Sequence, residues 1–340
     1  MRRLRPTAGP HSQRGVALLI ALILVALATI LATKLTYDGW LERQRTVGVL
    51  ASEQALHFAM GAEALAADVL VQTVQGGQPV TLAEPWAQAT QALPLTPDNN
   101  PEGEPIGTLQ ASLEDMQGRF NLNNLGAVIP DPKSPRQFIP DPVPLAQFQR
   151  LLNAVGLEEK WAGIARDWID ADDQPGSPDG AEDAVYTSQT PPYRTGNWPM
   201  MTPTELLNMP GFGADRYRKI APYVTALPTA AALINICTAS GPVLRSISTT
   251  MYDEQYTPEV LTAGRKTGCF PDLPAIGNIT KGDPTPNLQK YYSDKSTFFR
   301  LTTHITLGST EFTLYSLLST GSNGSPSGKV TPLLRTFGTL

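Results

Sequence analysis

The sequence predicts an α+β protein: a long N-terminal helix that starts as a membrane span, packed on an antiparallel sheet, with a large, mainly helical inserted domain. Three observations predict it. Residues 16–33, VALLIALILVALATILAT, contain no charge, proline or glycine, which is long enough to cross a bilayer once. Residues 34–74 follow without a proline, and apolar residues return at helical spacing. Strand-like alternation appears early and late in the chain, with about 170 residues of helical character between.

Taking the elements in order, Arg2, Arg3, Arg5 and Arg14 precede the apolar run, so the positive-inside rule puts the N-terminus in the cytoplasm and everything after Lys34 on the far side. Three readings of the run stand side by side. It can be a secretory signal cut at the small residues Ala28 to Ala32, an uncleaved anchor, or a helix released by a cut after Gly15, with Val16 as the new first residue. From about residue 17 to 74 the helix would be about 85 Å long at 1.5 Å per residue. Its outer half is amphipathic, with one face for a globular domain and the other free.

Residues 76–106 hold several prolines and PDNNPEGEP, a turn-rich exit from the helix. IGTLQASLED and, after a turn at Gly118, RFNLNNL alternate as strands do. Helical spacing returns in PVPLAQFQRLLNAVGL and EEKWAGIARDWID. Thr202, Pro203 and Glu205 form a capping box with a first-turn proline, and Thr257, Pro258 and Glu259 offer a similar start. Late in the chain TFFRLTTHITLG and STEFTLYSLLS form a hairpin about Gly308 to Thr310, followed by an edge strand marked by Pro332. The expected organisation is a leader at 1–15, a helix at 16–75, a sheet domain from 76–127 and 291–340, and an insert at 128–290.

The densest chemistry is DADDQPGSPDGAED, residues 170–183, with Asp170, Asp172, Asp173, Asp179, Glu182, Asp183 and no basic residue. A hard cation such as calcium wants many oxygen ligands in irregular geometry, and six carboxylates in one tight loop repel each other unless neutralised. A solvated acidic loop is the competing reading. The spacing is not that of an EF-hand, because Gln174 and Pro175 stand where a ligand and a glycine belong. Zinc is disfavoured, because the loop lacks histidine and thiolate.

MPGFGADRYRKIAPYV, residues 209–224, resembles a helix-hairpin-helix that offers amides to DNA phosphate, and INICTAS at 234–240 could begin a second such unit. Charge opposes nucleic acid as a partner: residues 128–230 carry 13 acidic against 9 basic side chains, whereas phosphate binding wants a basic face. A helix-packing hairpin is the plainer reading. Cys237 and Cys269 follow the span and would face an oxidising compartment; a disulfide, two buried thiols and a metal pair are the alternatives. No GxSxG, P-loop or HExxH pattern occurs, and the histidines are scattered at His11, His57 and His304, so no enzyme is expected. His57 reads as an interface or core residue.

The basic leader, Gly15 and the long helix resemble the type IV pilins and type II secretion pseudopilins. DMQGRFNLNNL, DWIDADDQPGSPDGAEDAVY and PPYRTGNWPMMTPTELLNMPGF resemble those of the K-type minor pseudopilin of type II secretion systems. The resemblance implies a non-catalytic subunit of the inner membrane, single-pass, with its C-terminal domain in the periplasm. It implies cleavage by prepilin peptidase between Gly15 and Val16, methylation of Val16, and calcium at the acidic loop. It names I-type and J-type minor pseudopilins as partners and, through them, the H-type and major pseudopilins. Filament subunits usually carry glutamate five residues past the junction, where this chain has Ile20. A carboxylate buried in an apolar layer is tolerable only when a neighbour's amine pairs with it. A subunit with nothing above it has no amine to receive, so Ile20 and the bulky insert both indicate a filament tip that caps and initiates the pseudopilus. The different-class alternative is a membrane-anchored DNA receptor using the hairpin at Pro210 to Gly213.

Overall fold

The computed structural model describes residues 14–338 except 89, 98–101, 266 and 323–324. Most of the expected leader, including Arg2, Arg3 and Arg5, lies outside the described residues. Helix α1 runs 61 residues, Arg14–Val74. Its first part, to Leu56, forms a unit of its own, and there every side chain from Val16 to Trp40 is exposed. In the second unit Ala59, Ala62, Ala66, Leu70 and Val74 form a buried stripe three to four residues apart. Small residues on that stripe let the helix backbone lie close to the sheet. His57 is exposed, so it is not a core residue of this chain. Gly76 and Gly77 follow the helix with φ of 83° and 64°, the left-handed turn that only glycine adopts freely.

Strands β1 (Leu93–Leu95) and β2 (Gly107–Asp115) come next. The RFNLNNL segment departs from its alternating pattern: only Phe120–Asn121, β3, is extended, and Leu122–Gly126 is a 3-10 helix. A short hairpin follows, β4 (Val128–Asp131) and β5 (Ser134–Pro140), then α2 (Pro142–Ala154) and α3 (Lys160–Asp167). The acidic segment leads into α4, Asp183–Tyr186, and the capping box at Thr202 opens a 3-10 helix, Pro203–Asn208, before α5, Gly213–Ile220. After β6 (Val224–Thr225) and β7 (Ile234–Asn235) come α6 (Gly241–Ile247), α7 (Pro258–Thr262) and α8 (Leu273–Ile279). INICTAS therefore begins as a strand and does not open a second hairpin unit. Strands β8 (Tyr292–Ser293), β9 (Phe298–Leu307), β10 (Thr310–Ser322) and β11 (Ser325–Phe337) close the chain.

The sheet is antiparallel, in the order β1-β2-β9-β10-β11. Leu307 pairs with Thr310, which leaves a two-residue loop with Gly308 at φ 57°. Pro332 lies on the edge strand β11, where a missing N–H is harmless. Phe299, Leu301 and Leu318 meet Ala66, Leu70, Val80 and Trp86 in one core.

A second and larger core belongs to the insert, from Phe120, Leu122 and Leu125 to Leu288 and Tyr292. These residues sort with the insert because the chain leaves the sheet at Asp115 and re-enters at Phe298. Between those points the three asparagines of NLNN act as staples. Asn123 Oδ1 accepts from Met200 N at 2.7 Å, and its Nδ2 donates to Met200 O and Leu227 O. Asn121 and Asn124 hold Leu227 N and Ala232 N at 2.8 and 3.0 Å. Buried amides whose oxygen and nitrogen both find partners are stabilising; left without them they would be a penalty.

The neck between sheet and insert is built on Asp115, a buried carboxylate. It accepts from Gln117 N, Asn235 Nδ2, Thr238 Oγ1 and Ser296 Oγ at 2.6 to 2.9 Å. Burial still pushes its pKa above the usual carboxylate range, against the pull of those donors.

Candidate metal centre

Helix α3 ends at Asp167, whose side chain is fully buried. Its Oδ2 accepts from Gly176 N and Ala181 N, both at 2.9 Å, so one carboxylate gathers the two arms of the acidic loop. Gly180 N donates to Gly176 O at 2.6 Å and closes the turn. A Cβ built on Gly180 would come within 2.2 Å of Asp167 Oδ2 and of Gly176 N, so glycine is required there by space alone.

The fold brings oxygens of Asp170, Asp172 and Glu182 within 4.8 Å of one another. Of the six expected ligands, these three converge. Asp183 is engaged elsewhere, accepting from Thr195 N and Oγ1 at 3.1 and 3.0 Å and facing Arg194 at 3.5 Å. Asp173 Oδ1 accepts from Asn197 Nδ2 at 3.1 Å. Asp179 is exposed, and its backbone is what packs against Gly163. The acids divide because spacing along the chain says nothing of which side chains a folded-back loop turns inward.

Five buried acceptors at this place have no hydrogen-bond partner: Asp167 Oδ1, Asp170 Oδ1, both oxygens of Glu182, and Asn197 Oδ1. The nearest cation, Arg166, keeps its Nε 3.9 Å from Asp167 Oδ1. Buried acceptors without donors cost about 1–3 kcal/mol each, more when charged. Desolvation, reinforced by the neighbouring carboxylates, raises the pKa of Glu182 and of Asp170 to about 7 and also raises that of Asp167. An all-oxygen set with this unmet acceptor capacity fits a hard divalent cation, and calcium's tolerance of irregular geometry fits the loop. Sequence spacing missed Asp167 and Asn197. Asp167 stands three residues before Asp170, one helical turn away, which was a usable signal; Asn197 is held in a left-handed conformation, φ 42°, with no sequence signal beyond the asparagine itself.

The other expected sites are separate. Gly15, Val16 and Ile20 lie on α1, with Val16 and Ile20 63% and 52% exposed. Cys237 and Cys269 form a disulfide with Cα atoms 4.5 Å apart. The PGFG turn packs on Trp161, whose ring meets Phe212 edge-on at 5.1 Å. Arg216 is bound to Glu158 at 3.0 Å and Arg218 pairs with Asp215, so two of the cations that would meet DNA phosphate are already neutralised.

The family model for type II secretion system protein K matches residues 118–229. A type II secretion system protein K of Pseudomonas aeruginosa is 34% identical over 325 residues, 92% of this chain and 91% of that protein. The chain belongs to the type II secretion system protein K family. Another relative, from Aeromonas hydrophila, is 36% identical over 66% of this chain and 67% of its own length. The crystal structure of the GspK-GspI-GspJ complex from the enterotoxigenic Escherichia coli type 2 secretion system shares the fold, with TM-score 0.68 and 24% identity. The alignment covers 87% of this chain and 100% of that one. The chain is thus a minor pseudopilin of type II secretion, a structural secretion component with one N-terminal helix long and apolar enough to cross a membrane. Nothing supports the DNA-receptor alternative.

Proposed function

We propose that this subunit caps the pseudopilus and initiates its assembly, and that Ile20 carries that role. Ile20 replaces the carboxylate that a shaft subunit would offer to the amine of the next subunit, and the insert adds bulk that a stacked shaft has little room for. Cleavage between Gly15 and Val16 by prepilin peptidase, with methylation of Val16, would release the helix for assembly. The soluble part would then stand in the periplasm, above an anchor in the inner membrane. The I-type and J-type minor pseudopilins are the expected neighbours, by likeness to the enterotoxigenic E. coli complex, with the H-type and major pseudopilins below them.

Asp167, Asp170, Asp172, Glu182 and Asn197 would hold calcium, whose charge would cancel the repulsion among the carboxylates and lock the loop. The unpartnered buried oxygens support this. Chelation should lower the melting temperature, and Glu182→Gln should remove the difference between chelated and calcium-loaded protein. Equal melts with and without chelator in the unaltered protein would refute the calcium reading. For the tip position, gold-labelled chain should appear once, at filament ends, and labels spaced along the shaft would refute it. Gly15→Ala should leave the precursor uncut, read from its N-terminus.

A further inference from the structure

The first unit carries a feature beyond its apolar run. Tyr37 and Trp40 sit one turn apart on α1, 60% and 53% exposed, with ring centroids 6.1 Å apart. Two large aromatics held against each other on an open helix face are costly in water unless something covers them. The spacing from the apolar run says what does.

At 1.5 Å per residue, Tyr37 and Trp40 stand about 32 and 36 Å along the helix from Val16. A bilayer's hydrocarbon core is about 30 Å thick and its headgroup bands extend the total to about 40–45 Å. With Val16 at one boundary of the core, both rings fall just beyond the other, in the layer where tyrosine and tryptophan are enriched because one end of each ring is apolar and the other wet. Lys34 lies one turn inward, close enough for its stem to reach outward along the helix. The charges around the pair are nearly balanced, Lys34, Arg43 and Arg45 against Asp38 and Glu42, so a polybasic attraction to anionic lipid is not the main force.

We propose that Tyr37 and Trp40 form an interfacial anchor that seats in the phospholipid headgroup layer and fixes the depth of the helix. Fixing that depth holds the Gly15–Val16 junction at the opposite membrane face, within reach of a peptidase acting there. The proposal goes beyond the tip reading and does not depend on it, because it concerns the single chain in a membrane before any assembly.

The test uses the full chain in vesicles of phosphatidylcholine and phosphatidylglycerol. The two native cysteines are bonded to each other, and a Cβ on Gly39 meets nothing within 4 Å, so Gly39→Cys gives one labelled thiol at the depth of the rings, on another face of the helix. Quenching by a headgroup spin label should exceed quenching by a label deep in the acyl chain. It should fall by about twofold in the Tyr37→Ala/Trp40→Ala background, and about 0.5 M salt should leave it unchanged. Three results would each overturn the proposal: no quenching in either background, equal quenching in both, or quenching abolished by salt. A failed tip experiment would leave every one of these readings untouched.

Discussion

Glu63 on α1 is buried against the sheet, its side chain 9% exposed, and accepts from Arg335 Nε and Nη2 at 2.9 and 2.7 Å and from Ser316 Oγ at 2.7 Å. This forked pair ties the edge strand β11 to the helix. Arg335→Ala leaves the carboxylate enclosed with one hydroxyl, a loss of about 3 kcal/mol for an uncompensated buried charge. Glu63→Gln keeps the shape and frees an arginine that is 39% exposed, so water recovers part of the loss and about 1–2 kcal/mol is expected. A double-mutant cycle should therefore show coupling of about 1.5 kcal/mol.

The acid limb gives a second reading. In the unaltered chain the Arg335 hydrogen bonds are the main cause holding the Glu63 pKa below its ordinary 4.5. A depressed carboxylate contributes stability above its unfolded pKa and loses it as pH falls through the folded one. In Arg335→Ala burial acts unopposed by the guanidinium, the pKa rises, and the slope reverses: the variant gains stability relative to the parent on acidification from about pH 6 to 4. Urea unfolding of the detergent-solubilised full chain, followed by circular dichroism at pH 7 and pH 4.5, measures both effects. A coupling below about 0.3 kcal/mol, or parallel acid limbs in parent and variant, would refute the reasoning.

Asn123→Ala should cost about 3 kcal/mol, since it strands Met200 N and the carbonyls of Met200 and Leu227; Asn123→Asp should be nearly as damaging, and a near-neutral alanine variant in thermal melts would contradict the staple. Replacing Cys237 and Cys269 by serine opens a bridge of separation 32 and should cost about 3 kcal/mol, which denaturant titration of the oxidised parent against the variant measures. In chelator, stability should fall as pH rises from about 4.5 to 7, because Asp170 and Glu182 titrate near 7 in the folded chain but near 4 unfolded, and should level off above that; calcium should flatten the slope, and a chelated melt independent of pH would contradict the crowding.

Periodicity made the regular elements legible. The span was legible as an unbroken apolar run, and the helix beyond it, α2, α3 and the β9–β10 hairpin follow a pattern of burial that repeats along the chain. Capping chemistry was equally readable at Thr202 and Thr257, because those bonds join near neighbours. RFNLNNL misled for the opposite reason: its alternation comes from asparagines whose partners lie about a hundred residues away, and no local pattern records a distant carbonyl. The acidic loop was legible as a cluster of charge. Which acids face inward depended on Asp167, which reads as one more helical residue until the fold shows its carboxylate gathering both arms of the loop.

The points where the chain leaves and re-enters the sheet lie on neighbouring strands, with Asp115 directly opposite Phe299. The 182 residues between Met116 and Thr297 consequently hang from two adjacent strand ends, and sheet pairing is complete without them. Such a splice makes the insert a transplantable module: lineages could enlarge, trim or exchange it while the hydrogen-bond ladder beneath kept its register. The constraint on any exchange is the Asp115 clamp, whose four donors all lie within those residues, so a foreign module must bring its own hydroxyl and amide donors or leave a buried carboxylate bare.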